Sequence, residues 1–113
     1  MFERPTGGRH AVTVRRPDSP AAAHVLALHA ARLALTGEVA AGKQVMRAAL
    51  ELAERVRSDW ARGVVEHLRG QAIELSIGDY GPGLNSLDAA ISHFRRTGDL
   101  SIAVASAFFK AVY

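Results

Sequence analysis

The feature that most constrains this chain is a segment that occurs twice. "GEVAAGKQVMRAAL" at 37–50 returns as "GDYGPGLNSLDAAI" at 78–91, 41 residues on. Gly37 aligns with Gly78, Glu38 with Asp79, Gly42 with Gly83, Met46 with Leu87, Ala49 with Ala90 and Leu50 with Ile91. A glycine supplies the left-handed backbone that stops a helix, and an acid just beyond it suits the positive start of the next. Small, large and small residues at steps of four and three share one helical face and let two helices approach closely. Such a chain is constrained to hairpins of helix.

The flanking signals predict five helices. Ser19 is placed to cap the first, with Pro20 at its first position and Gly37 as its stop. The second runs over 38–57, with Val39, Gly42, Met46, Ala49, Leu50, Ala53 and Val56 along one stripe. Its opposite side carries Arg47, Glu51 and Arg55 at steps of four, an ordinary solvated ladder. Ser58-Asp59 caps a third over 60–77, stopped by Gly78. Pro82, or alternatively Asn85, opens a fourth with Leu84, Leu87, Ile91 and Phe94 on one side. Gly98 ends it, and Asp99 caps a fifth that runs to Tyr113.

Composition agrees with an all-α domain. Alanine is abundant and aromatics make up 6% of the 113 residues, a bias toward close-packed helices rather than sheets. An apolar fraction of 49% suits one globular domain, expected over 20–113. Residues 1–19 hold Arg4, Arg9, Arg15 and Arg16 against Glu3 and Asp18, with scattered glycine and proline, and read as a flexible basic arm. Most of the net charge of +3 therefore sits in the arm, and the body is nearly neutral. A nucleic-acid binder usually concentrates positive charge on a folded face. With no cysteine, disulfides and thiolate metal sites are excluded. No apolar run approaches the ~18 residues of a membrane span, and "MFERPTGGRH" lacks the apolar stretch of a secretory signal. A cytoplasmic location is expected.

Gly37 to Lys43 also reads G-x-x-x-x-G-K, most of a phosphate-cradling loop. Such a loop follows a buried strand and ends in a Ser or Thr that holds magnesium. Here the preceding "HAARLAL" is helical in character, Gln44 stands at the magnesium position, and Leu84 replaces the lysine in the second copy. The glycines are explained by the repeat, so a turn is expected and no nucleotide. Among the histidines, His24 and His29 are five apart and fall on different faces, whereas a helical zinc pair needs a spacing of four. His67 and Glu74 share a face with Gln71 between them but lack a third strong ligand. No metal or cofactor is expected. The acids mostly stand three or four residues from arginines, as Glu66 does from Arg62 and Arg69, a pattern that stabilises helices rather than building an active site. Arg95 and Arg96 in "FRRTGD" suit the negative end of a helix.

The fifth helix stands apart. In "LSIAVASAFFKAVY" the only charge is Lys110, while Leu100, Ile102, Val104, Phe108, Phe109, Val112 and Tyr113 spread around several faces. An uncovered apolar face is an association surface. Self-association as a homodimer through these residues is the expectation, with a chain cut from a longer array as the other reading.

The glycine–acid bends ("GEV", "GDY") and the small-x-x-x-large-x-x-small pattern on Gly42, Met46, Ala49 and on Gly83, Leu87, Ala90 resemble the tetratricopeptide repeat. Leu26, Ala30 and Leu33 fill the large, small and large positions of the first helix in unit one. In unit two Gly70 and Ile73 do so with one residue inserted before the turn. The resemblance covers 20–113 and implies stacked antiparallel helical hairpins in a solenoid fragment of two degenerate units plus a helix. It further implies a non-catalytic scaffold that binds a protein or peptide in a groove lined by the first helices. The positions carried over are His24 from unit one and His67, Gln71 and Glu74 from unit two. A regulatory or signalling domain that contacts nucleic acid through the basic arm is the alternative.

Overall fold

The computed structural model describes residues 18–112, and the basic arm, apart from Asp18 and Ser19, and Tyr113 lie outside them. The described residues form helices and turns without a strand. Five helices follow one another: α1 (Pro20–Leu35), α2 (Val39–Val56), α3 (Asp59–Leu68, continuing through a widened turn, Arg69–Glu74), α4 (Tyr80–Thr97) and α5 (Leu100–Val112).

The caps are local. Ser19 Oγ accepts from Ala22 N–H at 3.0 Å, and Ser58 Oγ accepts from Ala61 N–H at 3.1 Å. Each satisfies a donor that a helix start leaves without a partner. Gly37, Gly78 and Gly98 all take positive φ, at 98°, 84° and 78°. The residue after each glycine closes the preceding helix: Glu38 N–H donates to Leu33 O, Asp79 N–H to Glu74 O and Asp99 N–H to Phe94 O. The same acids open the next helix, accepting through their carbonyls from Gly42, Gly83 and Ala103. The bend thus needs one glycine and one following residue, which is what the repeated dipeptide supplies. Gly37 to Lys43 traverse this bend and the start of α2, between two helices.

Two boundaries differ from the sequence expectation: the third helix gives way to a turn after Glu74 rather than after Ile77, and the fourth starts early. α4 begins at Tyr80, ahead of Pro82. Proline is accommodated because the first four N–H groups of a helix lack intrahelical acceptors. α2 ends on Arg57 in the left-handed conformation, φ 53°, at a residue that is not glycine.

Ion pairs tie successive helices together. Asp18, ahead of α1, lies 3.8 Å from Arg55 near the end of α2. Asp59 at the start of α3 meets Arg96 near the end of α4 at 3.1 Å, and Asp88 of α4 meets Lys110 of α5 at 2.6 Å. The core is built mainly from small side chains. α1 buries Ala23, Ala27, Ala30 and Ala34 against Met46, Ala49, Leu52 and Ala53 of α2 and Ala61 and Val65 of α3. The α1–α2 approach is close enough that a Cβ on Gly42 would sit 2.8 Å from Ala30 O and 3.2 Å from Ala34 Cβ. A Cβ on Gly83 would meet Leu75 at 2.7 Å. Gly42 with Ala34 and Gly83 with Leu75 are the same pair in the two copies. A second cluster, Val64, Ala90, Phe94 and Ala103, joins α3, α4 and α5.

Candidate functional site

The residues expected to line a groove occupy different environments. His24 is half-buried on α1, its ring edge-on to Trp60 with centroids 5.4 Å apart. His67 faces α5: its Nδ1 is 2.7 Å from Ser106 Oγ, and its ring meets Phe109 at 5.9 Å. Burial pushes the His67 imidazole below its ordinary pKa, with a hydrogen bond to Gln71 opposing the shift. Glu74 is turned toward α4, only 8% exposed, where it accepts from Ser86 Oγ at 2.5 Å and pairs with Arg69 Nε at 3.1 Å. The structure therefore brings His67 and Gln71 together and gives Glu74 other partners.

The cause is the widened turn. Leu75 N–H donates to Gly70 O, five residues back, at 2.8 Å. A π turn of this kind holds one residue more than an α turn, and each helical residue advances the face by about 100°. The spacing of seven from His67 to Glu74, which shares a face in an α-helix, no longer does so across it, while Gln71 stays within reach of His67. Arg69 bridges the turn, reaching Glu66 at 3.4 Å as well as Glu74. Burial raises the pKa of Glu66, and the Arg69 guanidinium pulls it back. Beside this network, Lys43, Met46, Arg47 and Leu50 of α2 face Arg69, Ile73 and Glu74 across a cleft of about 240 Å³.

Another polar cluster was not visible as one in the sequence. His93 Nδ1 lies 3.0 Å from Asp59 Oδ1 and also meets the Arg96 guanidinium, and Arg96 Nε donates to the same carboxylate oxygen at 3.1 Å. The hydrogen bond from His93, then that from Arg96, holds the Asp59 carboxyl below its ordinary range, against a raising effect of burial. The cluster ties the start of α3 to the end of α4. These residues lie 34 and 37 positions apart, and no local pattern joins them.

α5 presents a row of exposed apolar side chains. Leu100, Val104, Phe108 and Val112 are 61–66% exposed. Steps of four place them in one slanted row along the helix. Ile102 packs at the margin of the Phe94 cluster, and Phe109 turns in against His67. Of the expected association residues, Tyr113 lies outside the described residues. Val25, Leu28 and Leu35 on α1 are also exposed, on a separate helix.

Among the described residues, no group of three or more His, Cys, Asp or Glu could hold a metal ion. Nor is any helix among them long and apolar enough to cross a membrane. No family model, curated protein or solved structure matches this chain.

Proposed function

We propose that the chain is a non-catalytic, tetratricopeptide-like helical scaffold of the cytoplasm that binds a protein partner and pairs with a second copy of itself through the outer row of α5. The observation that carries this reading is that row: four large apolar side chains, each more than three-fifths exposed, on a helix whose inner side is already seated. Water-exposed apolar surface of this kind gains free energy when covered. The matched contacts of Gly42 and Gly83 support the repeat, because the two hairpins bring their second helix onto their first at equivalent positions. In such a stack each first helix is covered by its own second helix. α5 takes the place of a first helix, and its outer row is the surface a partner would cover. His67 and Glu74 already have partners within the chain, so the reading rests on α5.

Sedimentation of the intact 12.1 kDa chain over a range of concentrations tests it. A mass rising to twice the monomer is expected. Val104→Asp combined with Phe108→Asp is expected to abolish that rise while leaving the helical circular dichroism unchanged. Burying an unpaired carboxylate costs several kcal/mol, and about 2.8 kcal/mol is already a hundredfold in dissociation constant. A monomer at every concentration, or a dimer indifferent to both aspartates, sinks the reading.

A further inference from the structure

We propose that His67 is a pH-responsive latch: in its neutral form it seats α5 on the body of the protein, and on protonation it releases that helix. This deepens the reading above and rests on it for its consequence, since the row that pairs is carried by α5.

α5 is held by little. Its buried residues are Ala103 and Ser106, and its main neighbour is α4. Lys110 and Asp88 form an exposed ion pair, a kind that contributes little in water. Against this, His67 reaches from α3 to the fully buried Ser106 hydroxyl and also carries the Phe109 ring. A neutral imidazole suits that place, because serine can give or take the hydrogen bond and the two rings meet in a T-shaped contact.

A charged imidazole does not. On its own helix, Glu66 and Arg69 pair with each other and Arg69 also with Glu74, leaving Gln71 as the polar neighbour one turn on. On α4, His93 and Arg96 are bound to Asp59, and Asp88 is bound to Lys110 of α5. On α1, His24 lies against Trp60. The surrounding carboxylates are thus engaged elsewhere, and the proton would add a charge beneath a helix with only an amide and a hydroxyl to receive it. Burial lowers the pKa of His67 in the seated state, so the sign is fixed. The contribution to seating is fully present above the ordinary histidine value and is lost as the pH falls through the lowered one.

The test is an NMR titration of the intact chain between about pH 8 and pH 5, at a concentration where the protein is monomeric. It follows the His67 ring proton and the amide exchange of α5, corrected for intrinsic rates. Expected is a several-fold loss of protection confined to α5 and coincident with the His67 titration. His67→Gln is expected to remove this pH dependence. Should that variant fail to seat α5 at any pH, the coincidence in the unsubstituted chain decides alone. Protection of α5 that persists after His67 has titrated overturns the latch, as does a pH dependence that survives in a His67→Gln variant with α5 seated. Because exchange is read on the monomer, a protein that releases α5 in acid yet never dimerises would refute the pairing and leave the latch standing.

Discussion

Replacing Phe94 by alanine is expected to lower the free energy of unfolding by about 3–5 kcal/mol, a large share of the ~5–15 kcal/mol that holds a domain together. The side chain is fully buried and is the largest in the cluster with Val64, Ala90 and Ala103 that joins α3, α4 and α5. Its ring fills the space left by the missing side chain of Gly63, where a Cβ would lie 2.8–2.9 Å from three ring atoms. Gly63 and the adjoining alanines have no longer side chains with which to refill the hole. The loss should therefore fall toward the upper end of the range, because cost rises with the cavity that remains. Urea unfolding followed by circular dichroism and by Trp60 fluorescence measures it, since Trp60 packs at the edge of this cluster. Phe94→Leu should lose clearly less. A cost below about 1 kcal/mol for alanine would show that the ring does not join the three helices as described.

Alanine at two glycines of the repeat is expected to have very different effects. In an exposed helix interior, alanine gains up to about 1 kcal/mol over glycine. Gly81 lies in the first turn of α4, directly before Pro82, and nothing beyond its chain neighbours comes within 4 Å of its would-be Cβ, so Gly81→Ala should change stability by less than about 1 kcal/mol. Gly42 faces the carbonyl oxygen of Ala30 at 2.8 Å and the amide nitrogen of Ala34 at 3.1 Å. Backbone atoms of a packed helix cannot rotate aside as a side chain can, so α1 and α2 would have to separate. Overpacking costs typically about 1–3 kcal/mol, enough to outweigh the helical gain. Unfolding midpoints of the two variants measured together give the contrast. Gly42→Ala as stable as the unsubstituted chain would mean that α1 and α2 are less closely packed than their contact distances state.

The groove residues show where sequence reading met its limit. His67, Gln71 and Glu74 share a face only while the helix keeps 3.6 residues per turn. The extra residue accommodated near Gly70 turns Glu74 to Ser86. The widened segment Arg69–Glu74 holds that residue, and its effect on side-chain direction is not legible in the spacing. Ser106 could have been noticed as a lone hydroxyl in "IAVASAFF". Its partner, 39 residues away, could not.

By itself the sequence determined the helical class, the caps at Ser19 and Ser58, the left-handed stops at Gly37, Gly78 and Gly98, and the small residues where helices approach closely. These depend on interactions within a few residues, or on a side chain too small to obstruct a neighbour. Tertiary structure alone decided that His67 would meet Ser106, that Asp59 would gather His93 and Arg96, and which α5 side chains would remain in water. The reason is geometric: one additional residue in a turn, or a few degrees in how two helices cross, redirects a side chain while leaving the local hydrogen bonds that define each helix nearly unchanged.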